Sequence, residues 1–351
     1  MIKIDTTGLR RRAPGKKTLI YLDQSTLSFL TTSEGGHLLR LLRQGVQSNT
    51  IVCPTSPDHA DESLLATRSH GALHDLADEL AMGIEFVFDF QIEHSEILSA
   101  ACVFLGMPME EAVWREAFNV NPQTDRAKLY PGGVRVGLAA QRSDWQVREV
   151  QYEKGGVAET TEVYERIRRA GRSFESQVDL ELNVLIISKL GPLVEPDRYR
   201  ARVAQLASAA AREAPSAMLA PGSAFNLYSS VRNEEEFTSD LIAKCPELRH
   251  RISEFVRSDA LRSCPSLRYP ALITAAIATT AGRKAKAGDR YDRSHLTKGL
   301  SRCDIVTCDS GMAQLCRDRR LIPADVVLFS SSEHNLLVAH VERTIAGQCD
   351  D

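Results

Sequence analysis

The residues best suited to chemistry lie in the C-terminal quarter of the chain. Asp289, Asp292 and His295 recur at intervals of three, which puts two carboxylates and an imidazole on one helix face. The segment Cys303-Asp304-Ile305-Val306-Thr307-Cys308-Asp309 follows and reads as a short buried strand with an aspartate at each end. A second strand-end carboxylate stands near the start, where Asp23 stops the apolar run Leu19-Ile20-Tyr21-Leu22. Carboxylates at the carboxyl ends of strands sit where open α/β sheets bind ligands. Between these regions, Ser56-Pro57 is a good helix start, so Asp58, His59 and Glu62 fall within about one turn of each other. The candidate acids are therefore Asp23, Glu62, Asp289, Asp292, Asp304 and Asp309. An oxygen-only donor set suits Mg²⁺ or Mn²⁺ better than zinc. Such an ion activates water and stabilises the leaving oxygen of a phosphodiester.

Each residue has a plainer role when taken alone. An aspartate after a strand is most often a turn or a helix cap, Asp304 fits a cap at the strand entry, and His295 fits a satisfied helix histidine. The ordered combination of strand-Asp, helix-Glu, helix-Asp and strand-Thr-x-Asp is what sets them apart.

The elements that must position these groups are legible as two α/β segments around a helical middle. Strands are expected at 18–23, 51–53, 84–88, 304–308 and 326–329. A helical pattern over 25–47 is broken at Gly35-Gly36, and further helices are expected at 70–82, 270–281, 289–300 and 310–318. The middle is rich in Ala, Leu, Glu and Arg, with helical periodicity at 96–105, 159–169, 176–190 and 197–212. Residues 119–157 read as loop, with a hairpin around Val134–Val136 and Val147–Val150. The predicted division is 1–91 and 266–351 for one α/β core, and 92–265 for a large, mainly helical insertion.

Composition sets the outer limits. At 351 residues the chain can bury a substantial core, and its net charge of −3 does not single out a class of partner. Basic residues are nevertheless clustered. Arg10, Arg11, Arg12, Lys16 and Lys17 crowd the N-terminus, Arg166, Arg168, Arg169 and Arg172 form a second group, and Arg283, Lys284, Lys286, Arg290, Arg293 and Lys298 surround the acidic helix. Cations beside carboxylates suit an anionic substrate that meets a metal, though solvated helix faces have the same composition. Eight cysteines form no CxxC pair, and neither an apolar leader nor a membrane-length apolar run is visible. These features predict a reduced, cytoplasmic protein.

The ordered acids resemble those of the PIN-like group of metal-dependent nucleases. The resemblance is carried by Leu19-Ile-Tyr-Leu-Asp23-Gln-Ser25, by Ile51 to Glu62 with His59 inside it, by Asp289-Arg-Tyr-Asp292-Arg-Ser-His295, and by Cys303-Asp304-Ile-Val-Thr307-Cys-Asp309. It covers roughly 16–90 and 265–335. It implies a parallel sheet flanked by helices and cleavage of single-stranded RNA with Mg²⁺ or Mn²⁺. Asp23, Glu62, Asp292 and Asp309 take the catalytic and metal-binding roles, with Asp289 and Asp304 as second choices for the metal. Ser25, His59, Arg290, Arg293, His295, Lys298 and Thr307 are the expected substrate contacts. The helical middle is far longer than a compact member needs, and it offers a surface for a homo-oligomer or a partner protein.

Three other functions compete with this one. A non-catalytic PIN-like module binding RNA or protein would be expected to lack an essential acid, yet all four positions are filled. A phosphatase or receiver is disfavoured because Asp23-Gln24-Ser25 lacks the paired aspartates those proteins use. A helical adaptor would make the middle region the working part.

Overall fold

The computed structural model describes residues 17–59, 62, 70–87, 89–108, 118–119, 157–212, 224–286 and 288–347. The hairpin expected at 134–150 lies outside them. The chain forms two compact units, the first from residues 1–92, 114–140 and 288–351, the second from 93–113 and 141–287.

The first unit is built on a parallel sheet. Strand β1 (Thr18–Tyr21) pairs with β2 (Ile51–Val52) on one side and with β5 (Ile305–Cys308) on the other, and β5 pairs in turn with β6 (Val327–Ser330), giving the order β2-β1-β5-β6. The register sets Ile20 opposite Ile305 and Tyr21 opposite Val306. All four residues of β5 are buried, as expected for a strand of a parallel sheet covered on both faces. A separate pair, β3 (Glu85–Phe86) and β4 (Phe118–Asn119), runs antiparallel.

Side-chain alternation divides β1 between two layers. Ile20 and Leu22 enter a core with Leu27 and Leu30 of α1 (Gln24–Leu30), Leu38 and Leu42 of α2 (Gly36–Gln47), Leu73 and Leu80 of α3 (His70–Ala81), and Leu337 and Val341 of α13 (His334–Ile345). Tyr21, fully buried, points the other way, toward α11 (Asp289–Arg302). That helix lies close on the strands because of Gly299. A Cβ there would sit 2.8 Å from the Val306 side chain and 3.3 Å from the Tyr21 ring. The break between α1 and α2 has a similar cause. A Cβ on Gly35 would stand 2.1 Å from the Phe29 carbonyl oxygen.

Sheet order fixes where a site can form. The chain leaves β1 toward β2 on one side, while β5 continues through α12 (Ser310–Asp318) to β6 on the other. The crevice beyond the carboxyl ends of β1 and β5 is thus a topological switch point, the usual ligand position in such sheets. Asp23 and Asp309 follow those two strands directly.

In the second unit the described elements are helices. They comprise the continuation of α4 (Asp89–Leu105), a helix over 157–169, α5 (Phe174–Val194), α6 (Pro196–Ala210), α7 (Ala224–Lys244), α8 (Leu248–Phe255), α9 (Asp259–Arg262) and α10 (Pro265–Thr279). Buried Leu182, Ile186 and Leu190 recur every fourth residue along α5, the stripe expected of a core-facing helix. The units divide at Gly288 rather than at 266, because α10 packs along α5 within the helical unit. No helix among the described residues is long and apolar enough to cross a membrane.

Candidate functional site

Asp23 and Asp309 occupy equivalent positions. Each ends a strand and caps the next helix. The Asp23 Oδ1 accepts from Thr26 N at 3.1 Å, and the Asp309 Oδ1 accepts from Met312 N at 2.9 Å. Asp23 is held further. Its Oδ2 accepts from Ser25 Oγ at 2.5 Å, its Oδ1 accepts from Thr307 Oγ1 at 2.8 Å, and its backbone N–H donates back to Thr307 Oγ1 at 2.8 Å. This reciprocal pair joins β1 to β5 across the switch point.

Helix α11 brings Asp292 beside Asp309, close enough for the two carboxyl groups to perturb each other. Burial, then the charge and hydrogen bond of Asp309, then the charge of Glu62, push Asp292 up to about 8, against a smaller opposing pull from His295. The same negative field reaches the Cys308 thiol, which burial foremost, then Cys316, Asp23, Asp309 and Asp292 hold well above its ordinary range. Asp309 and Glu62 act on Asp292, and Asp23, Asp309 and Asp292 act on Cys308.

Glu62 is fixed from behind. Its Oε2 lies 3.0 Å from His295 Nε2, and an ionised carboxylate only accepts, so the ring N–H donates. His295 Nδ1 lies 2.7 Å from Tyr21 Oη, which is 2.8 Å from Ser56 Oγ, which is 3.1 Å from His59 Nδ1. His59 Nε2 in turn lies 2.6 Å from the Leu22 carbonyl oxygen and must donate to it. His59 Nδ1 is then an acceptor and takes the Ser56 backbone N–H at 3.0 Å, while the Ser56 hydroxyl proton can go to it or to Asp58. With Tyr21 donating to Ser56, Tyr21 accepts from His295, and every link is filled when His295 carries both ring protons. Burial opposes that charge, but the hydrogen bond to Glu62 and the charges of Asp58 and Glu62 outweigh it and hold His295 above its usual range. His59 is the opposite case: burial, with the nearby His295 charge, pushes it down to about 3.

Several expected contacts turn out to be internal supports. Lys298 is 4 % exposed, pairs with Asp58 and Asp89, and accepts no role at the surface. Burial opposes the ionised form of Asp58, but Lys298, His295 and a hydrogen bond from Ser294 hold its carboxyl below the usual range. His59 is buried with both nitrogens engaged, and Thr307 is buried on Asp23. Ser25 braces the Asp23 carboxylate. His59, His295, Lys298 and Thr307 are thus buried on internal partners, whereas Ser25 is exposed beside the Asp23 carboxylate.

Asp304 is also reassigned. Its Oδ2 accepts from Leu19 N at 2.9 Å and its own N–H donates to Leu19 O at 3.0 Å, which clamps the opposite end of β5 to β1. The four residues of β5 separate it from Asp309, roughly 16 Å along the extended chain. Asp289 is buried in the first turn of α11. Arg290 is exposed, with its guanidinium 4.6 Å from the Tyr291 ring centre, and Arg293 is half-buried.

Tyr21, Ser56 and His334 escaped the sequence reading. Tyr21 read only as part of an apolar run, and its partners come from distant segments. His334 stacks on Phe29 at 3.8 Å, and its buried Nε2 has no hydrogen-bond partner among the described residues.

The donor set fits a hard cation. Repulsion between neighbouring carboxylates is relieved either by a retained proton or by a divalent cation. Among the described residues no group of three or more His, Cys, Asp or Glu side chains stands ready as a metal cage. Magnesium does not require one, since it keeps several waters and takes one or two carboxylates. The chain matches no protein-family model, no curated protein and no solved structure.

Proposed function

We propose that this chain is a metal-dependent nuclease of PIN-like type that hydrolyses phosphodiester bonds in single-stranded RNA. The observation that supports the reading is the Asp292–Asp309 carboxyl pair beyond the carboxyl end of β5, with the charge of Glu62 also acting on Asp292. Asp292 and Asp309 would hold Mg²⁺ or Mn²⁺. When bound, the ion supplies an activated water and charge for the leaving oxygen.

The protein's own share is orientation. Thr307, Ser25 and the first turn of α1 fix Asp23, and the first turn of α12 fixes Asp309. Glu62 is held by His295 at the rim of the acidic set. Arg290, exposed on the same helix as Asp292, is placed to meet a phosphate backbone and offers no base readout.

The test is cleavage of end-labelled single-stranded RNA and DNA by the purified chain with Mn²⁺, Mg²⁺ or EDTA. RNA cleavage that requires the metal and is lost in Asp309→Asn is expected. Binding without cleavage would move the protein to the non-catalytic module, and undiminished cleavage in EDTA would remove the metal mechanism.

A further inference from the structure

We infer that Tyr21 and His295 are positioning residues that aim the Glu62 carboxylate at the acidic pair. The inference rests on the nuclease reading of Glu62 and adds to it a fixed internal support. The contacts form one connected chain: Leu22 carbonyl, His59, Ser56, Tyr21, His295, Glu62. It begins at the residue before Asp23 and ends on Glu62, so it ties the positions of two acids that come from different elements.

The geometry leaves the imidazole little freedom. His295 is 3 % exposed and both of its nitrogens are engaged. Its ring centre lies 4.7 Å from that of His59 and 5.6 Å from that of Tyr21, and Tyr21 is packed edge-on against Phe86 at 5.6 Å. A ring so confined transmits its orientation to whatever it holds, and Glu62 is the one member of the chain that is half-buried rather than buried. The chain ends on a carboxylate whose charge acts on Asp292, which a support that only satisfied buried polar atoms would not require. Hydrogen-bond partners behind a metal-binding carboxylate commonly change metal affinity by about 10–100-fold when removed.

The experiment measures Mn²⁺ affinity of the full chain by the EPR signal of free Mn²⁺, for the parent protein, Tyr21→Phe, His295→Leu, His295→Gln and Glu62→Gln. Tyr21→Phe keeps the buried ring and removes only the hydroxyl. His295→Gln returns an N–H near the Nε2 position. Tyr21→Phe and His295→Leu should each weaken Mn²⁺ by about tenfold. His295→Gln should recover much of that loss, and neither Tyr21→Phe nor His295→Leu should add to the loss in a Glu62→Gln background. Melting of the metal-free proteins separates a failed fold, and Tyr21→Phe with His295→Gln keeps the test decisive if His295→Leu does not fold. Parent-like affinity in Tyr21→Phe and His295→Leu, or losses fully additive with Glu62→Gln, would overturn the positioning role while leaving the metal centre intact. Absence of Mn²⁺ binding by the parent protein would overturn both.

Discussion

The carboxyl group of Asp292 on α11 lies beside that of Asp309 at the end of β5, and burial together with this neighbour raises Asp292 to about 8. A carboxyl raised in the folded state favours folding fully below its unfolded value near 3.9, and that contribution is lost as pH rises through about 8. Without metal, Asp292→Asn should therefore gain stability over the parent as pH climbs from about 4 to 8, by roughly 1–3 kcal/mol at the upper end. Urea unfolding in EDTA at pH 5 and pH 8 checks this. An equal difference at both values would mean that Asp292 carries no such burden.

Asp309 should separate its two roles on substitution. Asparagine caps a helix about as well as aspartate, whereas alanine loses about 1 kcal/mol of cap. Asp309→Asn should melt close to the parent and Asp309→Ala lower, while both lose RNA cleavage. A melting temperature for Asp309→Asn as low as that of Asp309→Ala would show that its charge supports the fold.

Thr307→Val keeps shape and removes the reciprocal bonds to Asp23. It leaves a buried backbone N–H without its partner, at a cost of about 1–3 kcal/mol. The variant should be less stable and should need more metal for half-maximal cleavage. Unchanged metal dependence would confine Thr307 to the fold. The same hydrogen bonds mean that Asp23→Asn, unlike Asp292→Asn, is expected to lose stability.

His59 gives a limb of opposite sign. Its folded value near 3 lies below the unfolded value near 6.5, so its contribution is present above about 6.5 and is lost as pH falls toward 3. His59→Gln should make stability fall less steeply over that window, whatever its effect at neutral pH. An unchanged slope would place the acid sensitivity elsewhere.

Much of the framework was legible because it is local. Apolar runs ending in Asp23 and Asp309 marked two strands correctly, and the spacing of Asp289, Asp292 and His295 marked α11. The preference for Asp292 over Asp289 came from the family resemblance, and Asp292 is the acid on which Asp309 acts. The opposite ends of β5 look alike in sequence, so only the parallel pairing with β1 reveals that Asp304 clamps backbone while Asp309 faces the crevice. Lys298, His59 and Thr307 carry polar groups that read as surface contacts, and their burial depends on Asp58, Leu22 and Asp23 from distant segments. The apolar pattern at 270–281 marked a buried helix but carried no information about whether α5 or the sheet would cover it.

The central claim is that acids from separate elements make one cation site, and anomalous diffraction from crystals of the full chain soaked in Mn²⁺ tests it most directly. The account predicts a manganese peak within bonding distance of the Asp292 and Asp309 carboxylates, on the side of the crevice that holds Asp23 and Glu62, and loss of that peak in Asp309→Asn. A manganese-loaded crystal with no peak there, or one whose peaks persist unchanged in Asp309→Asn, would contradict it.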